Sequence, residues 1–303
     1  MKGIDLFAGA GGTSTGAMMA GVNIVWAANH KPVAVEYHKL NHPDSIHVCQ
    51  DLHQADWSQV PKHDILFASP CCQGHSRAAG KAKETIKADK SRSTAWAVVS
   101  CLEAHKTEIA IIENVSDFLN WTLFDAWKLA MNKLGYALSI NLVNASDLGI
   151  PQNRKRLFII ATRSKNPFEL KLNKENHVSA RTIIDTSFND HKWDLVKNRV
   201  LATRKRVENG RKKYGDIFLD AAYGSELGGR SIDKPIGTIT TVNKHSLVIG
   251  DHIRPITIGE QAAAQTFPLG YKFPKSTTLT KQMIGNAVPP IMAKKITEAV
   301  LNG

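Results

Sequence analysis

The sequence predicts an α/β protein with a doubly wound, mostly parallel β-sheet and a second, smaller domain. Apolar, strand-like runs alternate with segments of helical periodicity from residue 2 to residue 162, a pattern typical of β-α-β units. The first run ends in a glycine-rich turn at residues 9–12 that leads into a helix. The alternation stops near Thr162, and 303 residues are at the upper limit for one core.

The elements follow from apolar runs and the turn residues between them. Buried-strand composition predicts strands at residues 2–8, 23–28, 46–49, 64–68, 108–113, 136–143 and 156–161. Helical periodicity predicts helices at residues 12–20, 32–40, 93–105, 124–134 and 281–301. Histidines 30, 38 and 42 are expected on a helix surface. Residues 163–253 carry many charges and no sustained period, so we predict a discontinuous first domain (1–162 and 254–303) and a smaller second domain (163–253).

Composition indicates a nucleic-acid partner. Lys and Arg number 39 against 27 Asp and Glu, and the sequence pI is about 9.5. The competing interpretation is a basic protein that binds no nucleic acid. The four cysteines form no CxxC pair, and no Cys/His spacing predicts a metal site. With no signal peptide and no long apolar run, we expect a cytoplasmic protein with reduced thiols and no membrane contact.

A thiol and a carboxyl group follow two of the predicted strands. Cys72 lies on the loop after strand 64–68, and Glu113 ends strand 108–113. The carboxyl ends of parallel strands meet at one edge of a sheet, where α/β proteins bind their ligands. This pair indicates covalent attack by a thiolate, assisted by an acid.

The glycine turn alone allows three interpretations: a dinucleotide site, an S-adenosylmethionine site, or a tight turn with no ligand. The dinucleotide fingerprint is incomplete, because Ser14 stands at its third glycine position. Asn29 stands at the end of the second strand, where an acidic residue commonly holds ribose hydroxyls. Asp51, after the third strand, can accept a hydrogen bond from an adenine amino group.

Taken together, the motifs resemble the DNA (cytosine-5)-methyltransferase family, in that family's order. The matching segments are residues 5–12, Cys72-Gln73 with Ser76, Glu113-Asn114-Val115, residues 152–156, the set Arg254, Thr257, Glu260 and Phe267-Pro268, and residues 285–290. The resemblance covers nearly the whole chain except the middle of the smaller domain. It implies an S-adenosylmethionine-dependent methyltransferase fold and a target-recognition domain at residues 163–253.

The resemblance also implies the site residues. Cys72 is the expected nucleophile, Glu113 contacts cytosine N3 and the exocyclic amine, Arg156 contacts the cytosine carbonyl, and Arg154 contacts the substrate backbone or the catalytic loop. The residues expected to hold S-adenosylmethionine are Phe7, Ala8, Gly9, Gly11, Gly12, Asn29, His30, Asp51, Leu52, Pro70, Asn286 and Val288. Those expected to contact double-stranded DNA are Gln73, Ser76, Arg77, Lys81, Arg204, Lys205, Arg206, Arg211, Lys212, Arg230 and Thr240. A monomer without a metal is expected, and a restriction-endonuclease partner is left open.

Two positions depart from the family pattern. Cys71 stands where the family has the proline that precedes the nucleophile, so the loop loses a residue with fixed φ and gains a second thiol. Asn29 replaces the usual glutamate. Its uncharged amide can still bond a ribose hydroxyl, but we expect weaker cofactor binding.

Three other functions are weighed against this one. A tRNA methyltransferase of the same superfamily is disfavoured by the size of region 163–253, which suits major-groove reading. A non-catalytic DNA-binding regulator is disfavoured because Cys72 and Glu113 are both present. A nicotinamide oxidoreductase gives no reason for the set Cys72, Glu113 and Arg156.

Overall fold

The computed structural model describes residues 1–70, 94–189, 191–223 and 227–303. The chain forms two compact units. The first consists of Met1–Asn144, Lys155–Asn173 and Ala287–Gly303, and the second consists of Ala145–Arg154 and Lys174–Asn286. Within the described ranges, no helix is long and apolar enough to cross a membrane.

The first unit is built on a seven-stranded sheet with the order β3-β2-β1-β4-β5-β7-β6. Strands β1 to β5 pair in parallel, whereas β7 runs antiparallel to both of its neighbours. The predicted fold class is therefore confirmed. The strands are β1 (Lys2–Leu6), β2 (Asn23–Asn29), β3 (Ile46–Cys49), β4 (Ile65–Ala68), β5 (Ile109–Asn114), β6 (Ala137–Asn144) and β7 (Lys155–Thr162).

Helices cover this sheet and close its core. Ile4, Leu66 and Ile112 from three adjacent strands belong to one buried apolar cluster that also includes Val98 and Trp127 from two helices. All four residues of β4 are buried, as expected for a central parallel strand. The helices of this unit are α1 (Gly12–Met19), α2 (Pro32–Asn41), α3 (Ala95–His105), α4 (Phe124–Lys133) and α8 (Pro290–Leu301), with α5 to α7 in the second unit.

Two predictions about helices are wrong. Residues 281–301 do not form one helix, because α7 (Thr277–Asn286) ends before Pro289 and α8 begins at Pro290. A proline has no backbone N–H for the preceding turn, so the second helix starts at that residue. The α2 histidines do not line a surface either: His38 is 1% exposed and His42 is 4% exposed.

The second unit contains a four-stranded antiparallel sheet, where the sequence predicted no regular element. Its order is β8-β11-β10-β9. The sequence did not reveal these strands because they lie in a charged region without alternating helices, and they are defined by antiparallel pairing between distant segments. The elements are β8 (Asp194–Leu195), β9 (Ile217–Ala221), β10 (His245–Ile249), β11 (His252–Pro255), α5 (Leu201–Tyr214), α6 (Ile258–Ala264) and α7.

The compact units divide the chain at other positions than the predicted domains do. Residues 254–286 belong to the second unit, because β11 pairs with β10 and Arg254 bonds Glu260 at the start of α6. Residues 163–173 stay with the first unit. The predicted boundaries followed the positions of the motifs, whereas the units follow packing. Recognition of DNA by residues 163–253 stays a prediction.

Candidate active site

The candidate site lies at the carboxyl edge of the parallel strands in the first unit. Leu6, Ala68 and Ile112 are register partners across β1, β4 and β5, so these three strands end at one level. Asn29 and Cys49 are likewise partners at the ends of β2 and β3. The glycine turn, Asn29, Asp51, Pro70 and Glu113 therefore follow strands that end at the same edge, as predicted.

Glu113 and Arg156 come from separate motifs and meet at this edge. Glu113 pairs with Phe158 in the antiparallel β5–β7 ladder, so Arg156, two residues away, is on the same face. The Nε atom of Arg156 lies 3.1 Å from Oε1 of Glu113, and the two side chains are 15% and 12% exposed. Arg156 Nη1 donates to the Lys155 carbonyl, at 2.7 Å. A partly buried ion pair of this kind holds both side chains in place.

Asn114 fixes the end of the chain that leads to the nucleophile loop. It is 2% exposed, and its Nδ2 donates to the Pro70 carbonyl at 3.3 Å. Its Oδ1 accepts from the Val115 N–H at 2.8 Å. Sequence reasoning quoted Asn114 only as part of a motif and gave it no role. The predicted residues Cys72, Gln73, Ser76, Arg77 and Lys81, and the substituted Cys71, lie outside the described residues.

The glycine turn forms an open cradle with two positions, Gly11 and Gly12, that favour glycine. Phe7 directly follows β1 and has a φ of 65°, and Gly11 has a φ of 84°, which favours glycine. A Cβ on Gly12 would overlap the Val288 carbonyl, so this position also requires glycine. A Cβ on Gly9 would meet nothing within 4 Å, so this backbone faces open space. Ala8 donates its N–H to the Ala28 carbonyl at 2.9 Å and anchors the turn to β2.

Polar groups stand at the next two strand ends. Asn29 is 8% exposed, and its Oδ1 accepts from the Lys31 N–H at 2.9 Å. Asp51 is exposed, and only its Oδ1 is engaged by a described residue, the His53 N–H at 3.0 Å. His30 is exposed, and Leu52 is buried with its side chain in the core. The open glycine backbone and the free carboxylate oxygen of Asp51 fit a nucleoside-containing cofactor such as S-adenosylmethionine.

Arg154, predicted to contact the substrate backbone or the catalytic loop, is bonded to backbone carbonyls, and its contact with the loop stays a prediction. It is 1% exposed, and within the second unit its guanidinium donates to the carbonyls of Ile239 and Gly285, each at 2.9 Å. A guanidinium enclosed in this way holds backbone segments together and is not available to the substrate backbone. Asn286, predicted as a cofactor contact, is the last residue of α7 in the same unit.

A family model described as C-5 cytosine-specific DNA methylase matches residues 1–302. The Type II methyltransferase M.HgiDI of Herpetosiphon aurantiacus is 30% identical over 97% of this chain and 92% of its own length. M.HindV of Haemophilus influenzae is 27% identical over 100% of this chain and 97% of its own length. The chain belongs to the C-5 cytosine-specific DNA methylase family.

Solved structures support the fold of this methylase. The Entamoeba histolytica methyltransferase EhMeth aligns with a TM-score of 0.73 at 16% identity, covering 100% of this chain and 98% of the other. The S. pombe Dnmt2 methyltransferase aligns with a TM-score of 0.68 at 17% identity and the same coverage. The family resemblance that the motifs predicted is confirmed.

The basic residues predicted to bind DNA in this methylase differ in their exposure and in their ion pairs. Arg206 donates from Nε and Nη2 to the carboxylate of Asp220, at 2.8 and 2.9 Å, and Asp220 is 3% exposed. This bidentate pair stabilises the second unit, and DNA contact by Arg206 stays a prediction. By contrast, Arg204 and Lys205 are exposed and form no ion pair with any described residue.

The remaining predicted DNA contacts already have partners within the second unit. Arg211 donates to the Gly250 carbonyl at 2.6 Å and to Asp251 at 2.9 Å, and Lys212 donates to Glu208 at 3.0 Å. Arg230 lies over the Tyr223 ring, 5.4 Å from its centroid. The Thr240 hydroxyl donates to the Val242 carbonyl at 2.7 Å. DNA contact by these four residues stays a prediction.

Proposed function

We propose that this cytosine-5 DNA methylase acts through a covalent adduct between Cys72 and a flipped-out cytosine in duplex DNA. The observation that carries the proposal is the Glu113–Arg156 pair at the strand edge where β4 leads through Pro70 to the Cys72 loop. A carboxylate and a guanidinium at one point suit the polar edge of a cytosine ring.

The Cys72 thiolate makes carbon 5 of cytosine reactive towards a methyl donor. Carbon 5 of cytosine is a poor nucleophile, and addition of the Cys72 thiolate to carbon 6 makes carbon 5 enamine-like. The new bond joins Sγ to carbon 6, and the electron pair of the C5–C6 double bond becomes available at carbon 5. Loss of the carbon-5 proton after methylation then breaks the bond to sulfur and restores the ring and the thiolate.

Glu113 and Arg156 hold the base during these steps. Glu113 accepts a hydrogen bond from the exocyclic amine and shares a proton with ring nitrogen 3, which stabilises the charge that develops on the ring. Arg156 uses Nε for Glu113 and Nη1 for the Lys155 carbonyl. No described residue occupies its Nη2, which is the donor we assign to the cytosine carbonyl oxygen.

S-adenosylmethionine is the cofactor that suits the glycine cradle and the polar strand ends. When bound, it supplies an electrophilic methyl group. Gly9 and Gly11 let the backbone approach it, Asn29 faces its ribose, and the free oxygen of Asp51 accepts from its adenine amino group. No group of three or more His, Cys, Asp or Glu within the described ranges could hold a metal ion.

A duplex DNA substrate requires the cytosine to leave the helix and a part of the chain to read the sequence. The target carbon is stacked inside the duplex, so the cytosine must leave the helix before it reacts. We assign sequence reading to residues 163–253 and chemistry to the rest of the chain. One chain carries every motif, so we propose a monomer that works in the cytoplasm, where DNA is accessible.

A methyl-transfer assay with two substrates tests the proposal. The purified enzyme is incubated with radiolabelled S-adenosylmethionine and either a duplex plasmid or a tRNA pool. We expect label in plasmid cytosines at one recurring sequence, and none after Glu113→Gln. Transfer to tRNA but not to plasmid would contradict the proposal, and so would full activity of Glu113→Gln.

A further inference from the structure

A buried line of hydrogen bonds runs beneath the glycine turn and joins four elements of the first unit. Ser14 Oγ in α1 donates to Oδ2 of Asp5 in β1 at 2.6 Å. His38 Nε2 in α2 lies 3.0 Å from Ser14 Oγ. His47 Nε2 in β3 lies 2.8 Å from His38 Nδ1. Asp5, Ser14 and His38 are each at most 1% exposed.

The chemistry of these groups decides which atom donates and which accepts in each of these hydrogen bonds. The Ser14 hydroxyl has one hydrogen, which it gives to the Asp5 carboxylate, so its oxygen accepts from His38 Nε2–H. The other ring nitrogen of His38 is then unprotonated and accepts from His47 Nε2–H. Each donor in the line His47, His38, Ser14, Asp5 therefore meets one acceptor, with both histidines neutral.

The end of this line is costly for the fold. Asp5 is a buried carboxyl with no cationic partner among the described residues. Burial raises the pKa of the Asp5 carboxyl to about 7, while hydrogen bonds from Ser14 act in the opposite direction. An apolar residue at this position in β1 would avoid that cost, as Ile4 and Leu6 do on either side.

The position of the line relates it to the predicted cofactor turn. Asp5 stands two residues before Phe7, where the backbone leaves the strand, and Ser14 stands two residues after Gly12, in the first turn of α1. Their hydrogen bond closes the nine-residue interval that contains the whole turn. A second tie, from Thr15 Oγ1 to His42 Nε2 at 2.9 Å, joins α1 to α2 but does not reach β1.

We propose that Asp5, Ser14 and His38 are positioning residues that fix the cofactor turn, residues 7–12, in its binding conformation. This inference rests on the proposed function, because that function assigns the turn to S-adenosylmethionine. The three side chains act through the backbone of the turn. Their effect should therefore fall equally on S-adenosylmethionine and on its product S-adenosylhomocysteine, which lacks the sulfonium charge.

Calorimetry with both ligands tests the proposal on folded, full-length variants. Ser14→Ala and His38→Leu should weaken the binding of both ligands by about tenfold, the effect of one hydrogen bond to a charged group. His38→Gln should restore most of the affinity, because its amide nitrogen can replace the Nε2–H donor. Thr15→Val is the matched control: it removes the neighbouring buried tie, and it should lower the unfolding temperature without changing either affinity.

The pH dependence of ligand affinity is a second measurement, and a general loss of stability would not change it. Between pH 8 and pH 6 the Asp5 carboxylate takes up a proton, and the hydrogen bond that it accepts from Ser14 loses the strengthening effect of the negative charge. Burial lowers the pKa of His38 well below its ordinary value and that of His42 to about 4, so both stay neutral in this range. Burial and the neighbouring Lys39 also lower the pKa of His47, at the far end of the line. Both ligands should bind more weakly at pH 6, and Asp5→Asn should abolish this dependence.

The outcomes separate this inference from the proposed function. Wild-type protein that binds neither ligand contradicts both. Wild-type protein that binds both ligands, with Ser14→Ala and His38→Leu unchanged, contradicts the positioning role alone. If only S-adenosylmethionine responds to the variants or to pH, the buried charge acts on the sulfonium directly and the proposal is wrong. If Ser14→Ala does not fold, the His38→Gln and Asp5→Asn profiles decide.

Discussion

Arg156 Nε lies 3.1 Å from Oε1 of Glu113, although the two residues belong to motifs more than forty residues apart in the chain. The contact exists because β7 enters the sheet antiparallel to β5, which brings the start of one strand to the end of the other. Arg154, two residues earlier in the same motif, is instead bonded to backbone carbonyls in the second unit.

Replacement of each arginine by lysine should therefore have a different effect, on activity at position 156 and on stability at position 154. A lysine at 156 can satisfy Glu113 or the cytosine carbonyl but not both, so Arg156→Lys should lower kcat/KM by about 10²-fold. Its unfolding temperature should stay close to that of the wild type. Steady-state methyl transfer and thermal unfolding measure the two effects.

Arg154→Lys is the matched control and should show the reverse pattern. Loss of one of two buried carbonyl contacts should cost about 1–3 kcal/mol of folding free energy. The remaining folded fraction should keep its kcat. If Arg156→Lys keeps full activity, or Arg154→Lys is stable and inactive, the assigned roles are wrong.

Asn29→Glu should tighten the binding of S-adenosylmethionine. The Asn29 side chain has one oxygen, and the Lys31 N–H already bonds to it. A glutamate has two carboxylate oxygens and carries charge, so it can accept from the ribose hydroxyls. Calorimetry should give a lower Kd for Asn29→Glu and a higher Kd for Asp51→Ala. Unchanged binding in both variants would mean that the cofactor lies elsewhere.

Exposed and paired arginines in α5 should affect DNA binding differently. Arg204 and Lys205 are exposed, so their replacement by alanine should reduce the salt dependence of DNA binding by about one counterion each. Arg206→Ala removes the partner of the buried Asp220 and should destabilise the second unit instead. Binding titrations at several salt concentrations, with thermal unfolding, separate these effects. An unchanged salt slope in Arg204→Ala and Lys205→Ala would exclude this helix from the DNA contact.

The parallel part of the fold could be predicted because its signals are local. Strands β1 to β5 are short, mostly apolar runs that are followed by turn or polar residues, and their observed bounds lie within two residues of the predicted ones. The short strands of the second unit give no such signal. Strand β8 has two residues, and only its pairing with β11 defines it.

The candidate site could be predicted in its composition but not in its pairings. The sequence places Arg154 and Arg156 in one motif, and nothing local shows that Arg154 bonds to carbonyls 85 and 131 residues away. His38 was expected at the surface because a histidine in a short amphipathic helix resembles an exposed residue. Its partners, Ser14 and His47, come from other elements, so only the tertiary structure reveals why it is buried.

The buried His42 should make folding stability depend on pH. Burial lowers its pKa to about 4, against an ordinary value of 6.5, so between these values the unfolded chain binds a proton that the folded chain does not. This group therefore lowers stability as the pH falls from 6.5 towards 4, by about 1.4 kcal/mol per pH unit. His42→Asn should remove that share of the slope in denaturant unfolding, whereas His53→Asn, at an exposed histidine, should not. Equal slopes in the wild type and His42→Asn would contradict the neutral state of His42.

The central claim is that Cys72 is the nucleophile, and covalent trapping tests it most directly. A duplex with 5-fluorocytosine at the target base cannot lose its carbon-5 substituent, so the Sγ–C6 bond should persist in the presence of S-adenosylmethionine. Peptide mapping should find the adduct on Cys72, with none in Cys72→Ser and with retention in Cys71→Pro and Cys49→Ser. An adduct on Cys71, or trapping that survives Cys72→Ser, would contradict the account.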